Sequence, residues 1–154
     1  MEECTIKLEN VPRFPIFRPR FFPGTATAGN PTDTHVRGYT PQQIKKAYSF
    51  DETSTGQGVK IAVIEAYYND FLQADLDTFC EQFNLPKRDV NITFPDGKAD
   101  FTLQSWITES SLDVQWIRAL APMAQIDVIF AKSDSAEDMF SAVQSAVNMG
   151  ADVV

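Results

Sequence analysis

From Thr40 onward the chain switches repeatedly between two hydrophobic periods. Val59-Lys60-Ile61-Ala62-Val63-Ile64 is a compact, β-branched apolar run behind Gly56 and Gly58, which predicts a buried strand. Residues 70–83 carry Leu72, Leu76, Phe79 and Phe83 at helical spacing with acids opposite, which predicts an amphipathic helix. Asn91–Phe94 reads as a short strand before the turn Pro95-Asp96-Gly97. A helix follows over 108–120, stopped by Pro122. Ile126–Ala131 is a second apolar strand, and 135–149 is a helix closed by Gly150. Asp152-Val153-Val154 begins a further strand. Upstream, Thr40-Pro41 is an N-cap with a first-turn proline, opening a short helix to about Ser49. Strands alternating with helices predict βαβ units, so the expected fold is α/β, a parallel sheet flanked by helices.

Residues 1–38 follow neither period. Pro12, Pro15, Pro19, Pro23 and Pro31 rule out a regular helix or a central strand there. The stretch from Arg13 to Phe22 is basic and aromatic. The expected organisation is a proline-rich extended arm over 1–38 and a domain over 39–154. The arm's phenylalanines either pack onto the domain or bind a partner.

Composition narrows the function classes. The chain has 154 residues and 44% apolar content, enough for one domain with its own core. Its formal charge of −8 repels phosphate backbones, so a nucleic-acid partner is not expected. No apolar run reaches the length of a membrane helix, and Met1 to Glu9 lacks the apolar core of a secretory signal. One histidine, His35, and two cysteines, Cys4 and Cys80, are too few for a zinc site or a disulfide framework. Cys80, beside Phe79 in a helical pattern, is expected to be a buried structural thiol.

The candidate chemistry lies in Glu109-Ser110-Ser111-Leu112-Asp113-Val114-Gln115-Trp116-Ile117-Arg118-Ala119-Leu120. At about 100° per residue, Glu109 and Asp113 share one helix face, one turn apart. Leu112, Trp116 and Leu120 fall on the same stripe, which places two carboxylates on the expected core side. Like charges at this spacing cost roughly 0.2–0.5 kcal/mol, and no Lys or Arg stands three or four residues from either. Burial costs more unless the pair is hydrogen-bonded or shares a proton. Two explanations stand: a functional acid pair that titrates as a unit, or a first-turn acid favoured by the helix dipole. Glu65 follows the strand ending at Ile64, at the sheet edge where α/β proteins gather ligands. It either joins the pair in a three-carboxylate site or is a solvated strand end.

Other readings are excluded by order or by missing parts. Gly56-Gln57-Gly58 precedes its strand, opposite to a dinucleotide fingerprint. No Walker-type Gly-Lys-Ser/Thr occurs. A Ser-His-Asp triad would need His35, which lies in the proline-rich arm. Asp134-Ser135 with Glu137 and Asp138 reads as a helix cap with first-turn acids.

Tyr39-Thr40-Pro41-Gln42-Gln43-Ile44-Lys45-Lys46-Ala47-Tyr48 resembles the segment that opens sedolisin (serine-carboxyl peptidase) catalytic domains. Gly56 to Glu65 is similar to their first core strand; subtilisins share that strand but place an aspartate at the position of Glu65. Glu109-x-x-x-Asp113 followed by Ala119-Leu120-Ala121-Pro122-x-Ala124-x-Ile126 resembles the sedolisin arrangement. The resemblance covers about residues 39–154 and implies the N-terminal portion of a subtilisin-like peptidase domain with a Ser-Glu-Asp triad. It implies Glu109 as general base, Asp113 as the acid that orients it, and Glu65 as a supporting carboxylate. It also implies an acidic working pH, because a carboxylate base stays deprotonated where an imidazole would not.

The family's nucleophile sits in a Gly-Thr-Ser motif, and no such tripeptide occurs in this sequence. Its oxyanion-hole aspartate and calcium site would likewise lie beyond residue 154, so no cofactor is expected in this chain. The expectation is a fragment of a peptidase acting on protein or peptide substrates, inactive alone and prone to self-association through an unpaired sheet edge. The alternative is a non-catalytic binding module on the same fold, and an ordinary subtilisin-like hydrolase lacks its histidine.

Overall fold

The computed structural model describes residues 39–154; the predicted arm, with Cys4 and His35, lies outside the described residues. Helix α1 (Pro41–Ala47) opens with a full capping box. The Thr40 hydroxyl accepts from the Gln43 amide at 3.3 Å, and the Gln43 side chain accepts from the Thr40 amide at 2.8 Å. There follow β1 (Lys60–Ala66), α2 (Leu72–Phe83), β2 (Asn91–Thr93), α3 (Gln104–Leu120), β3 (Gln125–Ala131) and α4 (Ala136–Asn148).

The three strands form a parallel sheet in the order β1-β3-β2. Lys60 to Ala66 of β1 pairs in register with Gln125 to Ala131 of β3. The predicted strand at 152–154 reduces to one parallel bridge, Val153 with Ile61. The fold is therefore α/β, a parallel sheet flanked by helices. Among the described residues no helix is long and apolar enough to cross a membrane.

Alternation along the strands divides the core in two. Val63, Ile126, Val128 and Phe130 point to one face, where Leu72, Leu76 and Cys80 of α2 and Val114 of α3 cover them. Ala62, Ile129 and Ala131 point to the other face, against Ala142 and Ala146 of α4. Ser135 caps α4 through the Asp138 amide at 3.2 Å, as its sequence context predicts. Cys80 is fully buried.

Candidate active site

Strand parity decides where Glu65 points. It is two residues from Val63, so its side chain faces the α2–α3 layer. The sequence ended the strand at Ile64 and allowed a solvated Glu65; β1 instead runs on to Ala66 and Glu65 is 1% exposed. It is a buried carboxyl inside the strand, not a solvated strand end. Its neighbour across the ladder, Phe130, is fully buried too.

Helix α3 begins at Gln104, four residues before the predicted start. Glu109 is thus in the second turn, and the dipole explanation for an acid at the helix start is lost. The stripe also turns out differently. Ser110, Val114 and Arg118 face the core, whereas Leu112 is 47% exposed. Glu109 and Asp113 therefore stand on a flank of the helix, beside the core-facing stripe. Glu109 is exposed and Asp113 is half-buried.

These acids meet in one cavity of about 370 Å³, lined by Ile64, Glu65, Ser105, Trp106, Glu109 and Asp113. The structure thus brings together all three acids singled out from the sequence. Ser105 and Trp106 were missed, because a helix drawn from residue 108 leaves out the turn that carries them. The signal was the spacing itself: Ser105, Glu109 and Asp113 recur every four residues on one flank.

The electrostatics of the cavity are strained. Burial raises Glu65 from its ordinary 4.5 to about 8, reinforced by the charges of Asp113 and then Glu109. Neither Glu65 oxygen has a hydrogen-bond partner of standard geometry. Even so, a proton on Glu65 is drawn toward the Asp113 carboxylate, an attraction that raises Glu65 and lowers Asp113. Asp113 is itself raised above the usual range, chiefly by desolvation and then by the charge of Glu109. Of the groups in this cavity, Glu65 is the one raised to about 8, and burial is the first cause. Among the described residues no group of three or more His, Cys, Asp or Glu side chains is disposed to hold a metal ion.

A second cavity, about 340 Å³, lies between α1 and α3, lined by Ile44, Tyr48, Phe50, Trp116 and Leu120. It has no titratable group other than the Tyr48 phenol and offers no acid–base chemistry.

No family model matches this chain, and no curated protein matches it. Among solved structures it is similar to Pseudomonas sedolisin, a serine-carboxyl proteinase, in complex with two molecules of pseudo-iodotyrostatin. The TM-score is 0.58 at 21% sequence identity, over 75% of this chain and 33% of that one. The chain thus spans about a third of that neighbour's length. What the likeness shows is the fold: a parallel α/β arrangement shared with a serine-carboxyl proteinase.

Proposed function

We propose that residues 39–154 carry the acid–base part of a serine-type peptidase site acting on protein or peptide substrates in acid. Glu109 is the base that takes the proton of a nucleophilic serine. Asp113 is the acid that orients Glu109, and Glu65 is the supporting carboxylate behind them. The observation that carries the reading is the cavity, where three carboxyls converge and the deepest one is fully buried without a polar partner. A fold seeking only stability would expose, pair or replace such a group. Its retention beside two further acids is the pattern of a proton-handling site.

Each acid has a distinct task in this reading. Glu109 stands exposed, so a hydroxyl entering the cavity can reach its carboxylate. Taking up that proton neutralises Glu109 rather than creating a buried ion. Asp113, one turn along the same flank, faces both partners and passes the proton's influence between them. Glu65 keeps its own proton to about pH 8 and so limits the negative charge crowded into the cavity.

The nucleophile is not supplied by a Gly-Thr-Ser in these 154 residues. Residues 1–154 alone are therefore expected to form no acyl-enzyme. In a polypeptide carrying this chain together with a Gly-Thr-Ser serine, Glu109→Ala should abolish turnover while leaving the fold intact. Undiminished turnover in that variant removes Glu109 from the mechanism. Serine-inhibitor-sensitive hydrolysis by residues 1–154 alone contradicts the assignment from the other side. The alternative is a binding module on the same fold that holds peptides without cleaving them. Saturable peptide binding at this cavity, with no turnover in any form of the protein, would select it.

A further inference from the structure

We propose that Asn69 is a positioning residue, which fixes the second turn of α3 against the end of β1 and so holds Asp113 and Glu109 over Glu65. The proposal rests on the acid–base reading of the cavity and adds to it a residue outside the cavity wall.

The argument starts at the end of β1. Tyr67 adopts a left-handed backbone, φ 65°, unusual for a residue with a side chain. It is tied down on both sides: its amide donates to the Ala131 carbonyl at 2.8 Å, and its hydroxyl donates to Asp134 at 3.0 Å. This bend turns the chain off the sheet two residues after Glu65 and delivers Asn69, 4% exposed, beneath α3.

Asn69 then uses its whole side chain. Its carbonyl oxygen accepts from the Phe71 amide at 2.9 Å, which fixes the amide plane. Its NH₂ group donates toward the Ile107 carbonyl at 3.1 Å, Ser110 Oγ at 3.0 Å and Ser111 Oγ at 3.0 Å. Two protons are thus shared among three acceptors, all within residues 107–111, the turn that contains Glu109. The serines cannot turn away, because each hydroxyl is committed elsewhere. Ser110 donates to the Ile107 carbonyl at 3.2 Å and Ser111 to Asp75 of α2 at 3.1 Å. Burial requires the amide to be satisfied, and here all the satisfaction on the donor side comes from one turn. Asn69 grips a single helical turn from below, and that turn carries the first of the two acids.

Releasing the grip has a predictable electrical consequence. The groups that act on Glu65 are Asp113 and Glu109, both on α3, together with the desolvation α3 helps impose. If α3 drifts outward, water enters and both charges recede. All these changes favour the ionised carboxylate, so Glu65 should titrate lower.

The test follows the Glu65 side-chain carboxyl by carbon-13 NMR across pH, in the full 154-residue chain. Asn69→Ala should lower its midpoint by about one pH unit or more. Ser111→Ala, which removes one acceptor and is gentler on the fold, should lower it by less, in the same direction. Ala146→Gly, a destabilising change in α4 on the opposite face of the sheet, should leave it in place, and this separates positioning from a general loss of stability. If the midpoint is unmoved in both Asn69→Ala and Ser111→Ala, or moves equally in Ala146→Gly, the proposal is overturned. Should Asn69→Ala fail to fold, the Ser111→Ala result alone decides. None of these measurements reads turnover, so an unmoved midpoint overturns the role of Asn69 alone, whereas undiminished turnover in Glu109→Ala overturns the peptidase reading alone.

Discussion

Glu65 of β1 and Asp113 of α3 line one cavity across the sheet–helix boundary, and burial raises both carboxyls, Glu65 to about 8. Raising a carboxyl to about 8 means the folded state binds a proton that the unfolded chain releases near 4.5. Stability associated with that proton is complete below the unfolded value and is lost as pH climbs toward 8. The slope approaches about 1.4 kcal/mol per pH unit where the proton difference is full. Glu65→Gln, neutral and nearly isosteric, should flatten this dependence and be the more stable protein at pH 8. Urea unfolding at several pH values measures it. Parallel pH profiles for the two proteins would show that Glu65 is ionised in the native state.

The two acids of α3 should not count equally. Asp113 acts on Glu65 more strongly than Glu109 does, and it alone attracts the Glu65 proton. Asp113→Asn should therefore lower the Glu65 midpoint more than Glu109→Gln, each change being in the downward direction. NMR titration of the three proteins gives the order directly. The reverse order would mean that Glu109 lies closer to the buried carboxyl than Asp113 does.

Arg118 is the largest fully buried side chain of the described fold, and no carboxylate meets it. Instead its guanidinium donates to the Pro122 and Ala124 carbonyls, both at 3.0 Å, and reaches the Arg88 carbonyl at 3.5 Å. It closes the turn between α3 and β3, satisfying two carbonyls of that connection. Arg118→Ala should cost about 2–4 kcal/mol, through orphaned carbonyls and lost packing of the stem. Arg118→Met keeps much of the packing and should recover part of that loss. Chemical denaturation of the three proteins is the measurement, and a loss in Arg118→Ala below about 0.5 kcal/mol would exclude a bracing role.

The elements most legible in the sequence were those whose period matched their burial. The strand run from Val59 and the β3 run Ile126–Ala131 place apolar side chains on both faces, Asp127 excepted, because both faces of the sheet are covered. Helix α3 was the least legible. Its first turn, Gln104-Ser105-Trp106-Ile107, has no capping side chain to announce it. Its core stripe contains Ser110 and Arg118, polar residues that hide the period because their partners lie in other elements. The same blindness applied to Asn69, which looks like an ordinary loop residue until α3 is placed above it. Glu109, Asp113 and Glu65 stood out as charges in the wrong pattern. Their convergence was inferable from strand–helix order, but the depth of Glu65 was not.

Gly56 makes a sharper test of the packing around the α3–β3 turn than any core residue. Two glycines precede β1, and both have positive φ, 73° at Gly56 and 82° at Gly58. Their surroundings differ. A methyl group added at Gly56 would sit 2.9 Å from the Ala121 Cβ and 3.1 Å from the Ala124 Cβ, whereas at Gly58 it meets nothing within 4 Å. The neighbouring backbone is pinned, since the Met123 amide donates to the Thr55 carbonyl at 2.9 Å. Gly58→Ala therefore carries only the backbone penalty of a left-handed alanine, about 1 kcal/mol. Gly56→Ala carries that penalty plus the displacement of two small residues in a tethered turn, for a total of about 2–4 kcal/mol. Thermal unfolding should rank the proteins wild type, Gly58→Ala, Gly56→Ala. Equal losses in the two variants would mean that the turn yields freely and that the Ala121–Ala124 contact does not fix the approach to β1.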